Sequence, residues 1–417
     1  MPQVDIDGLN STLKADVIRG QASTSTKLGG DLDLDGNDIT GTGGIPAANL
    51  TGTLPAINGS SLTGIFTQKN VIINGDFNIW QRGVTHAAHV NGEYTADRWG
   101  MSNTGTVGVF TVAKALASAS AANVPTAAES GHLSAASLKV DVTTLDSSVD
   151  AADNVSLWYK VEGYDFAPLA QKAFTLSFWH KHTVTGTHSV AFRNSGNDRN
   201  YTAEYTQSVS NTWEKATINV SASPDPLSAG TWNLANGNGL QILFFIMMGS
   251  NGTAATLDSW TSTSVKCSDN QVNNTSSTSN NFMIAQVQLE TGSVATDFEV
   301  RNHADEFARC QRYYQRTYNY GTATGTATDI GALLHSMDGT QSYAKLYWDF
   351  KVSMRATPTA AVYNTNDGTV GELSGDSSDY TAGVTMAGEN GLGVSLSGVS
   401  ISTSTYLKAH VTASAEL

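Results

Sequence analysis

Apolar and polar residues alternate with a period of two through most of the stretch from Asn70 to about Arg301, and short runs of turn-forming residues separate the alternating segments. Successive side chains of a β-strand point to opposite faces of its sheet, so this pattern predicts strands with one apolar face. Several such strands joined by turns are typical of a two-sheet β-sandwich.

Three segments define the predicted faces. In "VSLWYKVEG", Trp158 and Lys160 are predicted to lie opposite an apolar set that consists of Leu157, Tyr159 and Val161. In "AFTLSFWHKH", Trp179 and Lys181 are predicted to lie opposite Phe174, Leu176 and Phe178. In "FMIAQVQLETG", unbroken alternation predicts an apolar set of Met283, Ala285, Val287 and Leu289. The second faces of these strands mix aromatic with polar residues.

The pattern changes after the predicted sandwich. The segment "NHADEFARCQRYYQR" predicts a helix that Asn302 caps, with Asp305 at the N3 position. Phe307, Cys310 and Tyr314 would share one face of it, at spacings of three and four residues. Strand-like alternation then returns in "YAKLYWDFKV" and continues towards the end of the chain, which predicts a second, smaller β-domain.

Residues 1–66 contain no aromatic residue except Phe66, yet they carry a short irregular repeat. The tripeptides Ile39-Thr40-Gly41, Leu50-Thr51-Gly52 and Leu62-Thr63-Gly64 recur at intervals of 11 and 12 residues. Each unit offers one or two apolar side chains, so the repeat would gain stability by stacking against identical chains. The alternative is a flexible Gly/Thr-rich linker.

Composition excludes several classes of function. The net charge is −14, and Lys and Arg do not cluster, so we expect neither nucleic acid nor an anionic membrane surface as a partner. The longest apolar run, "LQILFFIMMG", is too short to span a bilayer, and no signal-peptide pattern opens the chain. Cys267 and Cys310 lack the spacing of a zinc site, and either a disulfide or two buried thiols is compatible with the sequence.

The motifs of covalent catalysis are not apparent. The sequence contains no G-x-S-x-G turn for a nucleophile, and its nine histidines are scattered. A pair of catalytic carboxylates is defined by its separation in space, which sequence does not reveal. We therefore expect a protein that is not an enzyme.

Two binding sites are candidates. Asn74 and Asp76 lie in an Asn-Gly-Asp turn that offers oxygen ligands, and Glu290 at the end of the last sandwich strand would complete a calcium site if the first and last strands are neighbours. The alternative is a simple turn. A sugar site needs an aromatic platform flanked by polar groups, and five residues expected to point outward fit that description: Trp158, Trp179, Arg193, Tyr201 and Glu204. The same aromatic residues would also suit packing under a loop or against another subunit.

Six segments in chain order resemble the tail-fibre and virion-appendage proteins of tailed bacteriophages: "NVIINGDFNIWQRG", "YTADRW", "LSFWHK", "NTWEKATI", "VQLETGSVATDFEVR" and "CQRYYQR". The preceding "IPAANLTGTLPAINGSSLTGI" is similar to the spacer found upstream of them. The resemblance covers about two-thirds of the chain and is weakest over the first 30 and last 90 residues. It implies a jelly-roll domain similar to carbohydrate-binding modules, in a homotrimeric fibre of the virion that adheres to bacterial surface polysaccharide. It also implies a structural calcium ion where Asn74–Phe77 and Gln288–Glu290 meet.

The resulting expectation is an all-β protein with four segments. Residues 1–29 would attach to other tail or baseplate proteins, 30–67 would form a thin repeat shaft, 68–302 a jelly-roll carbohydrate-binding-like domain, and 303–417 a short helix with a C-terminal β tip domain. The alternatives are a tailspike depolymerase that cleaves host polysaccharide and a purely structural appendage.

Overall fold

A computed structural model describes residues 69–118, 122–223, 225–253, 255–337, 341–376, 378–401 and 406–417. They belong to one compact unit, Phe66–Leu417. The predicted attachment segment and repeat shaft lie outside the described residues. No helix of the described ranges has the length and apolar character needed to cross a membrane.

Twelve strands build a sandwich of two sheets: β1 (Thr85–His86), β2 (Trp99–Thr104), β3 (Val109–Leu116), β4 (Ala136–Thr144), β5 (Asn154–Glu162), β6 (Phe174–His182), β7 (Gly186–Asn194), β8 (Asn200–Gln207), β9 (Glu214–Val220), β10 (Asn238–Met248), β11 (Trp260–Thr261) and β12 (Asn281–Thr291). The first sheet has the order β1-β3-β4-β12-β6-β9, and the second has the order β11-β8-β7-β10-β5-β2. All neighbouring strands are antiparallel, which gives a jelly-roll-like sandwich. Two short helices, α1 (Ala127–Ser130) and α2 (Gly163–Phe166), lie in its connections.

The main hydrophobic core lies between the two sheets, and local alternation predicted much of it. The predicted apolar sets of β5 and β6 are all part of this core. Trp158 and Trp179 lie outside it, in separate small clusters on the outer faces of the second and first sheets. The predicted faces of these two strands are therefore confirmed.

The predicted apolar set of β12 is wrong for half of its members. Phe282, Ile284, Val287 and Leu289 face the main core, whereas Met283 and Ala285 face outward. The cause is a β-bulge between Ala285 and Gln288, where Gln286 has a φ of 50°. The additional residue of a bulge reverses the alternation beyond it, and a strict period of two misses that reversal.

The bulge is held from both sides. The Gln286 side-chain amide donates hydrogen bonds to the Ser134 hydroxyl at 3.0 Å and to the His132 carbonyl at 2.9 Å. The Val287 amide donates to the Gly75 carbonyl at 2.9 Å, and a Cβ at Gly75 would collide with the Val287 carbonyl oxygen. Only glycine fits this close approach of two backbones.

The C-terminal part, from residue 303 onward, contains α3 (His303–Gln311) and nine strands: β13 (Tyr314–Arg316), β14 (Leu333–Ser336), β15 (Gln341–Asp349), β16 (Thr359–Tyr363), β17 (Glu372–Gly375), β18 (Asp379–Thr381), β19 (Gly383–Thr385), β20 (Gly391–Ile401) and β21 (Tyr406–Ser414). They form a sheet in which β13, β14, β16 and β17 all pair with β21, and a three-stranded sheet of β15, β20 and β19. These strands have a hydrophobic core of their own, to which Ala344, Leu346 and Trp348 contribute. The predicted helix is present with Asn302 as its cap, but it ends before Tyr314, which begins β13.

Ion pairs join this C-terminal part to the sandwich. Glu416 accepts hydrogen bonds from Arg82 at 3.2 Å and from Arg98, a residue that is 1% exposed. Glu162 at the end of β5 accepts a hydrogen bond from Arg312 at 2.7 Å and another from the Tyr313 hydroxyl at 2.5 Å. The basic residues of "WQRG" and "ADRW" therefore belong to a contact between the sandwich and the last residues of the chain.

Candidate functional site

A row of three polar side chains crosses the outer face of the second sheet. Gln241 of β10 pairs in register with Lys160 of β5 on one side and with Arg193 of β7 on the other. The sequence neighbours Tyr159 and Phe192 point into the main core, so the row points away from it. Because adjacent strands lie about 4.8 Å apart, the Cα atoms of Lys160 and Arg193 are separated by about 10 Å.

This row forms the floor of a cleft of about 490 Å³, which we name the Arg193 cleft. Tyr94, Trp158 and Asn197 contribute to its walls, and Leu417 lies at its edge. The cleft thus combines two aromatic side chains with amide and cationic groups, which are the kinds of group that bind sugar rings and their hydroxyls.

The cations of the floor are held in fixed positions. Arg193 Nη2 donates a hydrogen bond to Gln241 Oε1 at 2.6 Å. Lys160 Nζ donates to the main-chain oxygen of Leu417 at 2.5 Å and lies 4.9 Å from the centre of the Trp158 ring. Burial lowers the pKa of Arg193, and burial together with the nearby positive charges of Arg98 and Arg193 lowers the pKa of Lys160.

Trp158 contributes an edge and not an open platform, because it is only 5% exposed. Its ring packs edge-on against Tyr94, with ring centres 4.9 Å apart, and a Cβ at Gly100 on the neighbouring strand would collide with it. With Ala191, Leu243, Phe245 and Cys267 it forms a small apolar cluster beside the polar row. The outward direction of Trp158 was predicted correctly, but the expected stacking surface is covered.

Two residues of the expected sugar site lie elsewhere. Tyr201 pairs in register with Phe192, and both face the main core, so its predicted outward position is wrong. Trp179 is half-buried on the outer face of the opposite sheet, where it packs with Trp213 and Met283. Alternation along one strand does not reveal which sheet the strand joins, so Trp179 and Arg193 lie on different sheets. Tyr201 lies in the same sheet as Arg193, but on its inner face.

Glu204 does lie on the outer face of the second sheet, but its carboxylate is already bound. It accepts a hydrogen bond from the Ser268 hydroxyl and one from the Asn270 side chain at 2.9 Å. Both partners belong to the segment between β11 and β12, which covers this end of the sheet. Of the five expected sugar-site residues, Trp158 and Arg193 meet in one cleft.

The three expected calcium ligands are not brought together. The Asn74 side chain binds the main chain of Ile79 through both its oxygen and its nitrogen, so it stabilises the turn. The Glu290 carboxylate accepts hydrogen bonds from Thr296 at 2.8 and 2.7 Å. Glu290 also lies three residues beyond Val287, the neighbour of Gly75, which corresponds to about 10 Å along the strand.

Asp76 is the remaining member of that set, and its Oδ2 atom lies 3.0 Å from His132 Nε2. Among the described residues, no group of three or more His, Cys, Asp or Glu side chains is arranged to hold a metal ion. The set Asn74, Asp76 and Glu290 therefore does not fit one calcium ion, and the presence of a structural calcium ion stays a prediction.

The two thiols are separate and buried. Cys267 lies in the segment between β11 and β12 and packs onto the outer face of the second sheet, and Cys310 lies on the buried side of α3. Burial raises the pKa of the Cys267 thiol to about 12 and raises that of Cys310 as well. Both are therefore neutral at physiological pH, as structural thiols are.

Sequence reasoning missed Gln241, the central residue of the floor. It lies in the apolar run "LQILFFIMMG", whose apolar character hides this single polar position. The signal was present, because a single polar residue within an apolar strand marks a position where the side chain needs hydrogen-bond partners.

The fold is an antiparallel, jelly-roll-like β-sandwich, and no protein-family model and no curated protein matches the chain. One similar solved structure is the enzymatically active domain of tailspike protein 4 from bacteriophage CBA120, at 15% identity and a TM-score of 0.26, with 49% of this chain and 21% of that chain covered. The match thus spans about a fifth of that tailspike domain.

Two further similar structures are carbohydrate-binding modules. TmCBM61, solved with β-1,4-galactotriose, shares 11% identity at a TM-score of 0.26, and the match covers 54% of this chain and 100% of that one. The family 11 module of the Clostridium thermocellum cellulase Lic26A-Cel5E shares 13% identity at a TM-score of 0.27, with 50% and 95% covered. Scores of this size do not assign a ligand or an activity to this chain.

Proposed function

We propose that this protein is a tail-fibre or related virion-appendage protein of a tailed bacteriophage, and that it attaches to the host cell by binding surface glycan in the Arg193 cleft. The observation that carries the binding proposal is the row Lys160, Gln241 and Arg193, aligned across three paired strands at the floor of an open cleft. The series of motifs that resembles phage appendage proteins supports the proposed location on the virion.

Binding without covalent change is the simplest mechanism for this cleft. Its polar groups are suited to hydrogen bonds with hydroxyls, and Tyr94 adds an aromatic wall. A shallow site of this kind binds weakly, but a trimeric fibre would present three copies, and tethering makes the later contacts intramolecular. Trimeric assembly is part of the proposal.

The test is binding of the full chain to an immobilised panel of bacterial polysaccharides. Gln241→Ala should weaken binding at least tenfold, because it removes the centre of the floor and frees Arg193 from its hydrogen bond. The matched control is Lys215→Ala, an exposed residue on the outer face of the opposite sheet, which should bind as the parent does. Unchanged circular dichroism would show that both variants fold.

Two other outcomes would indicate a different site or a different activity. Loss of binding in a folded Trp179→Ala variant, with Gln241→Ala unaffected, would move the site to the first sheet. Release of reducing sugar ends from a bound polysaccharide would indicate the depolymerase instead.

A further inference from the structure

We infer that the Arg193 cleft selects an acidic glycan, one whose sugars carry carboxylate or phosphate groups, and that the Arg193 guanidinium binds the anionic group. This inference rests on the proposed glycan-binding function and adds the chemical class of the ligand. It comes from the cations at the floor of the cleft and from the absence, among the described residues, of an acidic side chain bound to Arg193.

Arg193 has no acidic partner among the described residues. Within these ranges its one hydrogen bond is that from Nη2 to the neutral amide of Gln241, and its Nε is buried without a partner. No neighbouring negative charge raises its pKa, which burial alone lowers. A guanidinium in this position offers a planar set of donors that matches a carboxylate or a phosphate.

Two acidic side chains, one next to Leu417 and one on β5, are bound by other cations. Glu416 is bound by Arg98 and Arg82, and Glu162 is bound by Arg312. The second cation of the floor, Lys160, is bound by the main-chain oxygen of Leu417, and the negative field of Glu416 also acts on it. Arg193 is therefore the cation of the floor that is left for a ligand. The pKa values of Lys160 and Lys266 are both lowered in part by the positive charge of Arg193, so the three cations act on one another.

This concentration of positive charge contrasts with the net charge of the whole chain, which is −14. A neutral sugar would cover a half-buried guanidinium without compensating its charge, which is unfavourable. A uronate or phosphate group would supply the missing countercharge, and the neighbouring Gln241 and Asn197 would remain available for hydroxyls. The fixed position of Arg193 relative to Gln241 also reduces the entropy lost on binding.

The experiment uses the full chain and an immobilised panel that contains neutral bacterial polysaccharides, uronate-containing capsular polysaccharides and phosphodiester-containing teichoic acids. We expect the anionic polymers to bind at least tenfold more tightly than the neutral ones, with an affinity that falls as NaCl is raised. Arg193→Gln should abolish this preference, Arg193→Lys should retain part of it, and Lys215→Gln, the charge-matched control on the opposite sheet, should not change it. The uronate and teichoic acid arms distinguish carboxylate from phosphate as the recognised group.

Three other outcomes would contradict the acidic ligand, the role of Arg193 or the proposed function itself. Binding to neutral polymers only, or binding of a uronate polymer that survives chemical reduction of its carboxyl groups, would overturn the acidic ligand and leave glycan binding in place. Tight anion binding by a folded Arg193→Gln variant would overturn the role of Arg193. Failure to bind any member of the panel would overturn the proposed function and this inference with it.

Discussion

At the scale of single residues, the most consequential contacts lie where the C-terminal part packs against the sandwich. Arg98 is buried between the Glu416 carboxylate and the Tyr313 ring, whose centre lies 3.5 Å from the guanidinium carbon. Arg82 binds the same carboxylate, and its guanidinium carbon lies 3.7 Å from the centre of the Tyr314 ring. One acidic side chain therefore compensates two buried cations, and the aromatic rings exclude water from both pairs.

Glu416→Gln should destabilise the protein by about 3 kcal/mol, because removal of one partner leaves buried positive charge uncompensated. The measurement is the free energy of unfolding in urea at pH 7. The control is Glu389→Gln, at an exposed position of the same C-terminal part, which should change this free energy little. Equal stability of the two variants would contradict the central role of Glu416.

At the scale of elements, β6 and β7 carry a group of buried histidines across the space between the sheets. The rings of His182 on β6 and His188 on β7 stack with their centres 3.6 Å apart, and His180 Nδ1 lies 3.1 Å from Gln207 Oε1. Burial lowers the pKa of all three side chains, to about 4 for His180 and His188. The negative field of Glu214 opposes this shift at His180.

These pKa values predict a loss of stability in mild acid. A histidine titrates near pH 6.5 when unfolded, so between pH 6.5 and 4 the unfolded chain binds more protons than the folded one, and stability falls as the pH falls. From pH 7 to pH 5 the expected loss is about 2 kcal/mol for each of His180 and His188. The measurement is the free energy of unfolding in urea at pH 7 and at pH 5. Both pH values lie above the ordinary pKa values of carboxylates.

The variant for this test is His188→Gln, which should show a smaller change in unfolding free energy between the two pH values. His303→Gln, at an exposed position, should retain the full change. An identical dependence on pH in all three proteins would show that the buried histidines are not its source.

At the scale of the whole molecule, the proposed function depends on assembly through residues outside the described ranges. Two hydrophobic cores and the buried ion pairs account for the stability of a single copy of the described part. The repeat in residues 1–66 offers too few apolar side chains to fold alone, and stacking against identical chains is the proposed solution.

Light scattering of the full chain should therefore give a mass of about three times 43.9 kDa, and deletion of residues 1–66 should reduce it to that of one chain. A monomer before and after the deletion would remove the basis for a trimeric fibre. A trimer that persists after the deletion would assign assembly to the C-terminal parts.

Much of the sandwich was predictable from local alternation, because the two faces of a strand follow from backbone geometry alone. That is why the faces of β5 and β6, and the presence of α3, agree with the sequence pattern. The reversed face of β12 was not predictable, since its bulge depends on a glycine that is distant in the chain.

The same distinction applies to the candidate site. The sequence contains Arg193 and Trp158, but only the pairing of β5 and β7 with β10 places Lys160, Gln241 and Arg193 in one row. Likewise, the pairing of Arg98 with a carboxylate 318 positions away could not be inferred from either segment. Side-chain direction is a local property of the backbone, whereas strand register and charge compensation arise when distant segments pack together, so only the tertiary structure decided where this cleft lies.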